Sequence, residues 1–263
     1  MAERTIVRTE AVVLRSLEYG ETSQIVTLFT RKRGKVGVMA KGARRPNSSF
    51  GATLQPMAYT QVVFYYKPTR NLQILSESSH VTSFHRLRST LQHITIGLRI
   101  VELVDALVEE EDPQPDVFSM TVRALRRLNG LEARAANLWP FVQLRMAECL
   151  GIAPSIRREQ VDAVEEEGLL SRANGGVYPA NAAPEAPLRA SRSALRAYAV
   201  FARADLDTVM RMELEPEVRR EVEHLIREFL RYHVEAAYPD RSQSVIAQIE
   251  QSARSSVSSP QSD

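Results

Sequence analysis

From Thr5 to Leu17 the apolar residues Ile6, Val7, Ala11, Val12, Val13 and Leu14 follow a short, strand-like period, and β-branched types dominate. A second strand is predicted at Ser23–Thr30, after the turn signal Tyr19-Gly20, and a third at Lys35–Ala40, entered through the basic turn Arg31-Lys32-Arg33-Gly34. Met57–Tyr66 is the strongest β-forming stretch, and Lys67-Pro68-Thr69-Arg70-Asn71 turns it into Leu72–Ser76. Residues 42–55 are too polar and turn-rich for a strand and read as a long loop. Five short strands with glycine-punctuated turns, and no helical stretch among them, predict a small closed barrel.

Beyond His80 the period lengthens. Leu87, Leu91, Ile94, Leu98, Val101 and Val108 recur at spacings of three, four or seven, one stripe of a long helix ended by Glu109-Glu110-Glu111-Asp112-Pro113. Further helices are predicted at 116–128, stopped by Asn129-Gly130, and at 132–150, closed by Gly151. Residues 152–190 carry Pro154, Gly175-Gly176, Pro179, Pro184 and Pro187, and read as an irregular insertion with one short helix near 158–167. Helices resume at 191–203 and 215–237, the latter with Pro216 in its first turn and Val222, Leu225, Ile226 and Phe229 on its buried side. From Arg241 onward eight of 23 residues are serine, a composition that predicts disorder. The organisation expected is therefore a barrel domain over 1–80, a helical bundle over 81–240 with its insertion, and a tail over 241–263.

A chain of 263 residues fits two such modules. It has no apolar run near the ~20 residues of a membrane span, and MAERTIVRTE lacks a signal core, so no membrane partner is expected. One cysteine, Cys149, excludes an internal disulfide and a thiolate metal cluster, which points to a reducing, cytoplasmic setting. Cys149 itself reads as a small buried hydrophobe, and His93 as a solvated helix residue. The histidines lie singly, and no P-loop, G-x-S-x-G or G-x-G-x-x-G is present. Neither catalysis nor a cofactor nor a metal is expected.

Charge separates the modules. Residues 1–70 hold twelve basic and four acidic groups, a balance of +8, and the remainder balances at −6. Such asymmetry points to a polyanion meeting the first module. The cations form three clusters: Arg31, Lys32, Arg33 and Lys35; Lys41, Arg44 and Arg45; and Lys67 with Arg70. On a small barrel they can converge into one groove for phosphates, with Phe29, Phe50, Tyr59, Phe64, Tyr65 and Tyr66 supplying rings for stacking, though only half of an alternating strand can face a ligand. Physics alone leaves DNA and RNA open, and an RNA-binding protein of translation or RNA processing is the alternative.

Tyr19-Gly20-Glu21, Thr30, Gly34, Ala40-Lys41-Gly42-Ala43-Arg44, Ser48-Ser49 and Leu54-Gln55-Pro56 stand in the order and spacing of one family's pattern. In these motifs the first 85 residues resemble the N-terminal domain of RecO, the bacterial recombination mediators, and the resemblance extends more weakly into the helices. It implies a five-stranded OB-fold barrel followed by an α-helical bundle. It also implies binding of single- and double-stranded DNA, annealing of complementary strands, and work at the nucleoid. The partners it implies are RecR, the acidic tail of single-strand binding protein and, indirectly, RecA. Many members carry a four-cysteine zinc module in the insertion; residues 155–183 hold no cysteine, so zinc is not carried over. For the acidic tail, the densest basic cluster on the bundle is Arg123, Arg126, Arg127 and Arg134.

Overall fold

In the computed structural model, which describes residues 5–234, one long strand organises the first module. β1 (Thr5–Tyr19) pairs antiparallel with β4 (Tyr59–Tyr66) along its first half and with β2 (Ser23–Thr30) along its second. β3 (Gly34–Ala40) follows β2 through a tight turn, and β5 (Leu72–Thr82) lies antiparallel to β4. Three parallel pairs, Gly37↔Leu72, Val38↔Gln73 and Met39↔Ile74, join β3 to β5 and close the barrel in the order β1-β2-β3-β5-β4. This is the OB-fold barrel expected, with β5 running to Thr82 rather than ending at Ser76.

The run Ala11-Val12-Val13-Leu14 explains how β1 holds two modules at once. Four consecutive apolar residues in a strand must be buried on both faces. Ala11 and Val13 enter the barrel interior with Val26, Leu28, Val38, Val62, Phe64 and Leu75. Val12 and Leu14 point outward, and with Phe29 and Tyr59 they join the core of the helices. A register shift between Val13 and Arg15 lets the strand curve there. Phe118 of the bundle stands 5.6 Å from the Phe29 ring and 6.4 Å from that of Tyr59.

The bundle comprises α1 (Leu91–Leu107), α2 (Pro115–Gly130), α3 (Leu138–Cys149), α5 (Arg192–Arg203), α6 (Leu206–Arg211) and α7 (Pro216–Val234). The third helix starts at Leu138, later than its apolar pattern suggests, because Arg134 adopts a left-handed conformation and Ala135–Asn137 form a 3-10 turn. α6 is too short to show a period. His93, expected in solvent, is buried: its ring nitrogens lie 2.6 Å from the Thr90 hydroxyl and 3.2 Å from the Leu131 carbonyl, tying the start of α1 to the α2–α3 link.

The insertion has more order than its composition suggests. After the short α4 (Arg158–Asp162), β6 (Glu167–Ser171) pairs with β7 (Val177–Pro179) and β8 (Pro187–Ser191) in a three-stranded antiparallel sheet. β7 and β8 are both edge strands, and Pro179 and Pro187 sit at their ends, where a missing N–H is tolerated. Leu170 and Val177 pack into the bundle core, so the insertion is held by apolar contact. The Ser-rich segment from 241 lies outside the described residues. Among those described, no helix is long and apolar enough to cross a membrane.

Leu14 belongs to the shared core and not to the barrel interior. Leu14→Ala is expected to cost about 2–5 kcal/mol in urea denaturation followed by fluorescence of Trp139, which lies in the bundle. Leu17→Ala, three residues on and exposed, should stay within about 0.5 kcal/mol of the parent.

Candidate nucleic-acid interface

The barrel turns place the basic clusters in two patches. Thr30↔Gly34 and Gln24↔Ala40 are the two ends of the β2–β3 ladder, about 20 Å apart at ~3.3 Å per residue. Arg31, Lys32 and Arg33 occupy one end. Lys67 and Arg70, in the β4–β5 turn, belong to the same end, since Arg33 lies over the Tyr66 ring at 4.5 Å. Lys41, Arg44 and Arg45 occupy the other end, where Arg44 donates to the Gly20 carbonyl at 3.2 Å and pairs with Glu18 at 2.9 Å. The single convergent groove expected is thus divided, because a hairpin puts its turn and its open end on opposite rims.

One of the expected phosphate ligands has another partner. Lys35 faces the bundle with its side chain only 15% exposed; its Nζ donates to the Asp105 carbonyl at 2.6 Å and lies 3.6 Å from the Asp105 carboxylate. Arg15 approaches the same carboxylate at 4.0 Å. The acidic loop after α1 is laid against the barrel here. The Glu111 N–H donates to the Lys35 carbonyl at 2.9 Å, and the Tyr66 hydroxyl donates to the Glu111 carboxylate at 2.8 Å, which pushes the phenol pKa up. Gly34, at φ +63°, has the Asp112 backbone so close that any Cβ would collide with it. Arg31 is paired too, 3.2 Å from Glu10. Lys32, Lys41, Arg45, Lys67 and Arg70 make no ion pair among the described residues.

Between the patches lies the outer face of β1, β2 and β3. Its rows are Leu17–Ile25–Met39 and Arg15–Thr27–Gly37, set side by side by the strand registers. Leu17 and Tyr19 are 54% and 52% exposed. Of the rings expected to stack, Phe29, Phe50, Tyr59, Phe64 and Tyr66 are buried and Tyr65 is half-buried. Tyr19 is the exposed ring on this face. In the sequence Tyr19 reads as part of a turn signal; its place at the end of an alternating strand is the cue to an outward ring.

On the bundle, α2, α3 and α6 surround a cavity of about 370 Å³ walled by Met120, Leu138, Phe141 and Leu206, with Arg123 and Arg145 on its rim. Of the four arginines singled out, only Arg123 lines it. Arg126 turns to the barrel junction, 5.4 Å from the Tyr59 ring. Arg127 pairs with Asp207 at 2.8 Å, and Arg134 pairs with Glu213. Adjacent helix positions point about 100° apart, so a cluster in sequence scatters around the axis. Arg145, missed in the sequence, also donates to the Ala202 carbonyl. Cys149, expected to be buried, is exposed at this cavity; partial burial of its sulfur, with Asp116 and Glu148 nearby, pushes its thiol pKa up. Among the described residues no group of three or more His, Cys, Asp or Glu is placed to hold a metal.

Two family models match the chain: Recombination protein O N terminal over residues 1–84 and Recombination protein O C terminal over residues 88–242. The chain is 72% identical to the DNA repair protein RecO of Salinibacter ruber over 251 residues, 95% of this chain and 96% of that one. It is 30% identical to the RecO of Bacillus pumilus, covering 84% and 86% of the two chains, and 28% identical to that of Chlorobium limicola, covering 93% and 98%.

The division between structural and available cations can be measured. Lys35→Ala leaves Asp105 half-buried with only a distant Arg15, and is expected to lower stability by about 1–3 kcal/mol in thermal or urea unfolding. Lys32→Ala and Lys41→Ala should each change it by less than about 0.5 kcal/mol.

Proposed function

The chain belongs to the RecO family of DNA repair proteins, and from that premise we propose that it acts as a recombination mediator with no catalytic step of its own. The observation that carries this reading is the set of six barrel cations, Lys32, Arg33, Lys41, Arg45, Lys67 and Arg70, that make no ion pair among the described residues and stand at the two rims of one strand face. A single strand laid along β1–β2–β3 would meet cations at both ends, Tyr19 between them, and apolar Leu17, Ile25 and Met39 beneath its bases. Phosphate neutralisation releases counterions and stacking accepts any base, so binding is strong and independent of sequence. Two strands held at such a surface have their mutual repulsion screened, and complementary bases pair without ATP. Duplex DNA is bound through the same phosphates. The DNA repair role of the family takes the place of an RNA-processing role.

The partners follow from the same reading. The acidic, apolar-ended tail of single-strand binding protein suits the bundle cavity, whose Phe141 and Leu206 can take an apolar terminus and whose Arg123 can take a carboxylate. Docking there would bring the barrel to coated DNA. RecR would join the complex and RecA would be loaded on the strand released.

DNA affinity should fall with salt at a log–log slope of about −0.7 per phosphate neutralised. Alanine at Lys32, Lys41, Arg45 and Arg70 together should flatten that slope by up to about 2.8, with slower annealing and an unchanged melting temperature. An unchanged slope would show that DNA binds elsewhere.

Arg123→Ala should weaken tail-peptide binding about tenfold, about 1.4 kcal/mol, and change naked-DNA binding little. Bound peptide should also protect Cys149 from thiol reagents, whose rate without peptide should keep rising above the ordinary thiol pKa because the thiolate is disfavoured.

A further inference from the structure

At the junction of barrel and bundle, a cavity of about 180 Å³ opens between the end of β5, the linker to α1 and the start of β4. Its floor is apolar, with Met57 and Leu87. Its polar lining is His80, Thr82, Ser83, His85 and Arg88, with no carboxylate. Arg88 makes one long hydrogen bond, 3.4 Å to the Pro56 carbonyl, and no ion pair among the described residues. Partial burial pushes its guanidinium pKa down, with no opposite charge to offset that cost.

The surrounding chain shares this character. Ser78–Val101 contains Arg86, Arg88, Arg99 and three histidines but no Asp or Glu. Two nearby carboxylates have partners: Glu77, just before this stretch, lies 3.6 Å from Arg8, and Glu132, in the α2–α3 link, lies 3.1 Å from Arg86. A forked cation with two imidazoles and two hydroxyls, in a concavity smaller than the ~300 Å³ of an ordinary small-molecule site, fits a single oxyanion. The loop that begins at Lys41 and Arg45 ends in this wall, at Ala52 and Met57. One stretch of chain, residues 41–57, thus runs from a basic rim to the site.

We propose that the junction cavity is a phosphate-binding site, formed by Arg88 with His80 and His85, that takes a backbone phosphate of a bound DNA strand and carries its path from the barrel onto the hinge with the bundle. This rests on the DNA-binding reading above; inorganic phosphate shares the chemistry and serves as the separate probe. His80 and His85 can donate to one phosphate oxygen each while the Arg88 fork spans a third. No new contact within the protein is needed.

The test uses the full chain labelled in its histidine rings, with His80 and His85 assigned through His80→Gln and His85→Gln. It is titrated with single-stranded oligothymidylate and, separately, with inorganic phosphate. Both ring signals are expected to shift with oligothymidylate. Arg88→Gln should abolish those shifts, weaken DNA binding at least threefold and reduce the salt slope by about 0.7, without changing the melting temperature. Arg88→Lys, which keeps the charge and loses the fork, should fall between the two and guards against a folding defect. Ring signals that stay fixed while the wild type binds DNA would overturn the proposal, as would a response to phosphate alone. A wild type that binds no DNA counts against the earlier reading instead; the phosphate titration then decides whether the cavity is an anion site.

Discussion

Everything in this molecule hangs on the burial of β1 from both sides. A strand with one apolar face can close a barrel or support a bundle; Ala11-Val12-Val13-Leu14 does both, alternate residues entering opposite cores. The shift beside Val13 makes this compatible with barrel curvature, and Phe29 and Tyr59 extend the outer contact to Phe118. Because the two cores share a strand, the face left for a ligand is what the bundle does not cover: the later part of β1 with the outer rows of β2 and β3. The position of the candidate interface is thus a remainder of the packing.

The same junction sorts the cations. Those nearest the bundle, Lys35 and Arg15, face Asp105, where partial burial makes an opposite charge worthwhile. Those on the rims are more exposed, and surface pairs such as Arg31–Glu10 contribute little. A basic module in an acidic chain therefore divides its charge into a structural part and an available part, and only the second can meet phosphates.

Most of the barrel was legible in the sequence because its signals are local: a period of two, glycines at turns, and basic residues in the hairpins. The resemblance to RecO added the topology, which no local pattern carries. What could not be read depends on contacts across the fold. Nothing in the neighbourhood of Lys35 announces Asp105, 70 residues away. Arg123, Arg126 and Arg127 form one cluster on paper, yet face a cavity, the barrel and α6. His93 looks like a solvated helix residue until the α2–α3 link is folded over it. β7, three residues long, following a Gly-Gly pair and ending in a proline, has too few positions to display any period.

The acidic loop after α1 has a further role in the geometry of closure. Three parallel pairs leave the first residues of β3 without a neighbour on that side, and Lys35↔Glu110 with the Glu111 N–H supplies one. The bundle thereby contributes a short piece of backbone to the wall of the barrel, so the module limits seen in sequence are not limits in hydrogen bonding. Cut free of this loop, β3 would present an unpaired edge to any other chain, the usual starting point of edge-to-edge association. A barrel transplanted between relatives must therefore bring its acidic loop with it, and drift in one is constrained by the other.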